Sequence, residues 1–247
     1  MEWDAQKYNE TCGRVTEHDM KLVDALKEMR PGKVLDIGCG TGVLTGGIAK
    51  FAREAVGIDA SPAMVAKARS AYPALQFMVM DACALPWEGY FDAMFSNAVF
   101  HFIKGQDVLL AGIYKALAPN GVLVCEFGAA GNISALLDAV AGACAKRGMP
   151  YALRFYYPTK DKYAGLLERQ GFTPEALDVY DLDMRLREGE AGLRDWVSQI
   201  FSVELAWFDE FTRADVLQEI EAALRPAQWD GESWHLLHRR IRVIARK

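Results

Sequence analysis

Nine consecutive residues, Val34-Leu35-Asp36-Ile37-Gly38-Cys39-Gly40-Thr41-Gly42, place an acid and three alternate glycines directly behind an apolar run. That order reads as a buried strand that stops, a sharp turn made without Cβ atoms, and a helix that starts beside a ligand lying on bare peptide groups. The spacing is G-x-G-x-G, not the dinucleotide G-x-G-x-x-G, and no Lys-Ser or Lys-Thr pair follows as a phosphate-cradling loop requires. The ligand implied is therefore nucleoside-like and lacks a pyrophosphate. Asp36 at the strand end is able to accept from a cationic amine, through ordered water or backbone. S-adenosylmethionine fits that description.

Two further strands end in acids. Val56-Gly57-Ile58-Asp59 closes 21 residues past Gly38, the distance at which a βαβ nucleotide fold sets a carboxylate on ribose hydroxyls. Ser61-Pro62 then supplies an N-cap and a first-turn proline. Phe77-Met78-Val79-Met80-Asp81-Ala82 is the next strand with its acid.

Taken in order, these segments resemble the motifs of the class I S-adenosylmethionine-dependent methyltransferases. The resemblance implies a cofactor site built from Asp36, Gly38, Cys39, Gly40, Thr41 and Gly42. It also implies Asp59 on the ribose hydroxyls, Ala60 beside it among the cofactor-binding residues, Met64 packed on the adenine, Asp81 and Ala82 on the adenine edge, and Asn97 from the following strand. The product would be S-adenosylhomocysteine. Leu85 and Trp87 either close the adenine slot or tuck onto the edge of the core.

Phe91 to Asn97 forms a fourth strand, and its exit loop Ala98-Val99-Phe100-His101-Phe102 lies where open α/β sheets bind ligands. The Asp/Asn-Pro-Pro-aromatic signature of base and amide methylation is absent, with Ser96-Asn97-Ala98-Val99 in its place. His101 has a side chain whose ordinary pKa suits a general base; the alternative is a satisfied structural histidine.

The elements that position these residues follow from the pattern. Met20, Val23, Leu26 and Met29 mark a helix stopped by Pro31-Gly32. Strands near 33–37, 54–58, 75–79, 92–96 and 121–127 alternate with helices near 42–52, 62–72, 105–118 and 131–147, and a helix near 160–170 leads to a strand beginning at Phe172. Such alternation predicts a doubly wound α/β fold with a mostly parallel seven-stranded sheet, the Rossmann-like class I methyltransferase architecture. Residues 185–231 exceed a minimal hairpin and predict a helical cap inserted between the last two strands. The methyltransferase domain then comprises 1–184 and 232–247, with N-terminal lid helices in 1–30. Trp196, Phe201, Trp207, Phe208 and Phe211 either wall a chamber or pack the cap.

The chain has 247 residues, 51% of them apolar, and a net charge of −5. That balance argues against a nucleic-acid footprint. The basic run from His238 to Lys247 alternates with apolar residues and reads as a half-exposed final strand with a solvated end. Five cysteines show no C-x-x-C pair and no histidine at metal-ligand spacing, so reduced thiols, no metal and a cytoplasmic setting are the expectation. Neither a signal peptide nor an apolar membrane span is visible.

A narrower resemblance, to the trans-aconitate methyltransferase group, rests on Trp3 to Tyr8, Ser96 to His101, Tyr163 to Phe172 and the late helical insertion. It implies a small-molecule acceptor, a carboxylate or hydroxyl oxygen, with Tyr8 acting from the lid. A carboxylate acceptor needs a cation, and Arg154, among Tyr151, Phe155, Tyr156 and Tyr157, is the candidate because its fork grips two oxygens. The alternatives are a methyltransferase acting on RNA or protein and a nucleotide-binding oxidoreductase. Acceptor and oligomeric state lie beyond the sequence.

Overall fold

A computed structural model describes residues 17–247. Tyr8, Cys12 and the first part of the segment read as a lid lie outside the described residues.

The elements in chain order are α1 (Glu17–Glu28), β1 (Lys33–Ile37), α2 (Val43–Ile48), β2 (Glu54–Asp59), α3 (Pro62–Ala71), β3 (Gln76–Val79), β4 (Phe91–Asn97), α4 (Gln106–Ala116) and β5 (Leu117–Gly128). There follow α5 (Ser134–Ala145), α6 (Lys160–Arg169), β6 (Thr173–Arg185), α7 (Gly192–Ile200), α8 (Ser202–Leu205), α9 (Glu210–Gln228) and β7 (His235–Arg246). The sheet has seven strands in the order β3-β2-β1-β4-β5-β7-β6. Strands β1 to β5 pair in parallel, and β7 runs antiparallel to β5. Strand order reverses between β1 and β4, the crevice where such sheets receive ligands.

Strand β1 reads as an unbroken apolar run because both its faces are covered. Leu35 and Ile37 join one core layer with Phe100, Leu109, Phe127 and Tyr163, while Val34 joins the other with Leu22, Val23 and Leu26 of α1. The Ser61 hydroxyl caps α3 by accepting from Met64 N–H, and Pro62 opens that helix. Two boundaries differ from the sequence pattern. Helix α4 stops at Ala116 and β5 already begins at Leu117, because Ala118 precedes Pro119 and a pre-proline residue favours extended backbone. Helix α2 is shorter than its apolar pattern, since Gly46 and Gly47 weaken it.

The described residues form two compact units. One holds residues 17–130, Phe155–Tyr180 and Arg240–Lys247, with β1 to β5 and helices α1 to α4 and α6. The other holds Gly131–Arg154 and Asp181–Arg239. Its helices α7, α8 and α9 fill the stretch read as the cap, and it also takes in α5, which the alternating pattern assigned to the sheet's series. Arg147 of α5 pairs with Glu219 of α9 at 2.9 Å, and Trp234 N–H donates to Glu190 O at 3.0 Å. Trp196, Phe201 and Phe208 are buried in this unit, whereas Trp207 and Phe211 are exposed. No helix among the described residues is long and apolar enough to cross a membrane.

Candidate active site

The carboxyl ends of β1, β2 and β4 set the geometry. Asp36 pairs in register with Gly57 on one side and Phe95 on the other. The N–H groups of Gly38 and Cys39 both donate to Ile58 O, at 2.7 and 2.9 Å, which folds the glycine turn across the end of β2. Gly38 has φ +73°, and a Cβ there would stand 2.2 Å from a Val99 methyl, so only glycine closes this turn. Gly40 has φ +53° and the opposite surroundings: a Cβ would meet nothing within 4 Å. That backbone face is bare and open, as a ligand lying against it requires.

The two acids differ in state. Asp36 is 2% exposed, and its Oδ2 accepts from Thr45 Oγ1 at 2.6 Å. Burial pushes its carboxyl up to about 7; the Thr45 hydrogen bond opposes the shift and the Asp59 charge adds to it. Burial also raises Asp59, but there backbone N–H groups stabilise the ionised form. Gly40 N–H donates to Oδ2 at 3.0 Å and Ser61 N–H to Oδ1 at 2.8 Å, so each oxygen keeps acceptor capacity. The Cys39 thiol is pushed far up by burial and by Asp36 and Asp59, so it stays neutral beside them.

The other residues singled out in the sequence have definite places. Met64 is buried, Ala60 is exposed at the turn after β2, and Thr41 and Gly42 are buried. Asp81 is exposed and accepts from Cys83 N–H at 2.9 Å, with Ala82 half-buried beside it. Trp87 lies edge-on against Phe91 at 5.1 Å, on the core edge. Asn97 Nδ2 donates to Asp19 Oδ1 at 2.6 Å, tying β4 to the first turn of α1. Ala98 follows at φ +59°, a left-handed conformation for a residue with a Cβ, at the exit of β4.

His101 is buried in a short 3₁₀ turn, Phe100–Phe102. Gly128 N–H donates to its Nδ1 at 3.3 Å. A neutral imidazole that accepts at Nδ1 carries its proton on Nε2, so the ring presents a donor there. The rings of Phe102, Phe155 and Tyr157 surround it at 4.3 to 6.4 Å.

Arg154 has a partner of its own. Within the other unit its Nε donates to Glu204 Oε1 at 2.7 Å, and its Nη2 donates to Ile200 O. Glu204 is buried and needs that countercharge, so the fork assigned from sequence to a substrate carboxylate is already engaged. The aromatic neighbours of Arg154 in sequence gave no sign of an acid 50 residues away. Sequence reasoning also passed over Glu126, His18, Tyr180 and Arg242, which form one cluster on the first unit. The available signal was a lone acid in the apolar strand Val122 to Phe127.

Residues 35–125, which contain this turn and all three strand-end acids, match the family described as Methyltransferase domain. The chain is an S-adenosylmethionine-dependent methyltransferase. The methyltransferase is 29% identical over 258 residues to an uncharacterized methyltransferase of Schizosaccharomyces pombe, covering 99% of this chain and 98% of that one. A trans-aconitate 2-methyltransferase of Methylobacterium nodulans is 29% identical over 244 residues, 93% of each chain. A phosphoethanolamine N-methyltransferase of Haemonchus contortus, solved with phosphomonomethylethanolamine and S-adenosylhomocysteine, superposes with a TM-score of 0.57 at 21% identity. That overlap covers 92% of this chain and 52% of the other, and the likeness is one of fold.

The donor set suits a cationic nucleoside, because a buried carboxyl that titrates near neutrality gains a partner when positive charge arrives. The expected result, where that charge reaches Asp36, is release of a proton from its carboxyl on cofactor binding. Affinity for S-adenosylmethionine then rises as pH goes from 5 to 7, by up to tenfold per unit. The same carboxyl, with its folded pKa above 3.8, binds a proton in the folded state only between about pH 4 and 7. Its contribution to stability therefore falls as pH rises through that window. Calorimetry at pH 6 in two buffers of different ionisation heat measures the release. A flat pH profile with no proton released removes Asp36 from contact with positive charge.

Proposed function

We propose that the methyltransferase esterifies a carboxylate of a small, water-soluble acid in the cytoplasm, using the loop after β4 to position the acceptor oxygen. The observation that carries this reading is the hydrogen bond from Gly128 to His101. With Nδ1 occupied as an acceptor, neutral His101 offers Nε2–H as a donor and has no lone pair there for a proton. A phenol or hydroxyl acceptor needs a base, whereas a carboxylate is already ionised near pH 7 and needs only to be held. The Methylobacterium relative's name, a trans-aconitate 2-methyltransferase, agrees with a carboxylic acid acceptor.

The bound cofactor supplies an electrophilic methyl on a sulfonium. The residues of the chain supply placement and exclusion of water: Asp59 for the ribose hydroxyls, the open backbone of Gly40 for close approach, and Asp36 for positive charge. Asp81 and Ala82 for the adenine edge and Met64 for its face complete the set. His101 steadies the attacking carboxylate oxygen, and its aromatic surroundings exclude water.

Labelled cofactor and a panel of small acids, phenols and amines test the reading. Methyl esters release labelled methanol in mild alkali, and ethers and N-methyl products do not. His101→Ala lowers kcat about 10- to 100-fold with S-adenosylhomocysteine affinity unchanged, and His101→Gln, which keeps an N–H donor, recovers part of the loss. Alkali-stable product from the wild type, or a His101→Gln variant as slow as His101→Ala, overturns the assignment.

A further inference from the structure

Strand β7 alternates buried and more exposed residues, as its sequence predicts. Arg240, Arg242 and Ile244 share one face, since strand side chains repeat every second residue. Their partners across the ladder are Gly128, Glu126 and Val124 of β5. Ile244 packs in the core layer that includes α1. Glu126, 1% exposed, neutralises Arg242, accepting from its Nε at 2.9 Å and standing 2.8 Å from its Nη2. His18 Nε2 lies 2.7 Å from the same carboxylate and 3.0 Å from the Tyr180 hydroxyl, and Arg242 Nη2 donates to that hydroxyl at 3.2 Å.

Arg240 is the exception in this cluster. Its Nε is buried and has no hydrogen-bond partner, and among the described residues no carboxylate pairs with its guanidinium. Asp19, an acid on the first turn of α1, accepts from Asn97. The neighbour of Arg240 across the ladder is Gly128, which has no side chain to fill the space beside it. A buried guanidinium N–H without an acceptor costs free energy that a bound anion recovers. The charge of Arg240 acts on the cluster, pulling the Tyr180 phenol down against the burial that raises it.

Gly128 links this cation to the acceptor loop. Its N–H donates to His101 Nδ1, and its Cα is the cross-strand partner of Arg240. The backbone of Arg240 therefore lies one strand, about 5 Å, from Gly128, the residue that contacts His101 at the carboxyl end of β5.

We propose that Arg240 grips a second carboxylate of the acceptor, so that the substrate is a small acid with at least two carboxylates, one held by Arg240 and one methylated beside His101. The proposal rests on the carboxylate reading above. A planar fork suits a carboxylate, and Arg242 is unavailable because Glu126 already holds it.

Calorimetry on protein saturated with S-adenosylhomocysteine, where no methyl transfer takes place, tests the site directly. Propane-1,2,3-tricarboxylate binds at least tenfold more tightly than acetate. Arg240→Gln removes that advantage, Arg240→Lys keeps part of it, and neither changes S-adenosylhomocysteine affinity. Equal tricarboxylate affinity in wild type and Arg240→Gln overturns the proposal, as does a wild type that does not distinguish the two acids. The alkali-release assay separates this result from the reading beneath it. If labelled methanol appears from monocarboxylates and tricarboxylates alike and Arg240→Gln has no effect on KM, ester formation stands and the Arg240 assignment fails. If Arg240→Gln loses tricarboxylate binding but every methylated product is alkali-stable, the anion site stands and the ester reading fails.

Discussion

Asp59→Ala weakens S-adenosylhomocysteine binding by on the order of 100- to 1,000-fold, the largest loss expected from any single substitution in the turn. Each Asp59 oxygen already accepts one backbone N–H, from Gly40 or from Ser61, and each can accept one more. A ribose diol offers two O–H donors. Two charge-assisted hydrogen bonds at about 1.5 to 3 kcal/mol each come to at least about 3 kcal/mol, which corresponds to that range of affinity. Burial raises the Asp59 carboxyl, so holding it at the end of β2 has a cost that fixed N–H donors offset only in part. The substitution also deprives Gly40 and Ser61 of an acceptor, with a stability loss of about 1 kcal/mol for each such bond. Asp59→Asn keeps an acceptor for one N–H and falls between the two. Titration calorimetry gives the affinity and urea denaturation the stability. An Asp59→Ala protein that binds within threefold of the parent takes Asp59 out of the cofactor site.

That acid was legible from sequence because local constraints write it there. A strand covered on both faces reads as an apolar run, and a turn that Val99 packs against must be glycine at position 38. An acid at the end of such a strand has few places to go. The same holds for α3, whose start is encoded by Ser61 and Pro62 side by side. Charges whose partners are distant in sequence leave no such trace. Arg154 lies among aromatic residues, yet its partner is Glu204. The His238 to Lys247 run alternates like a half-exposed strand, and nothing within it separates Arg242, which Glu126 holds from 116 residues away, from Arg240, whose buried Nε has no hydrogen-bond partner. The tautomer of His101 is likewise set by Gly128, at the end of a different strand. Fold and cofactor turn are thus products of local pattern. The proposed acceptor side draws on a loop and strand ends that meet only once the sheet is built.

Glu126 carries the largest expected effect on stability. Its carboxylate is almost wholly enclosed and is bonded to Arg242 and His18. Glu126→Leu leaves the Arg242 guanidinium beside Arg240 on one face of β7 with no acid between them. Breaking a buried pair by removing one partner costs about 3 to 5 kcal/mol, much of it from the charge left behind. Arg242→Met leaves the opposite charge uncompensated and costs a similar amount. The double variant removes both charges together and recovers most of the loss, since a buried pair exchanged for apolar side chains is often close to neutral. Urea denaturation of the four proteins gives the coupling energy, expected to be at least about 2 kcal/mol. Strict additivity, or a Glu126→Leu cost below about 1 kcal/mol, shows that solvent already screens the pair. A large coupling shows that Glu126 and Arg242 act as one enclosed pair, each neutralising the other.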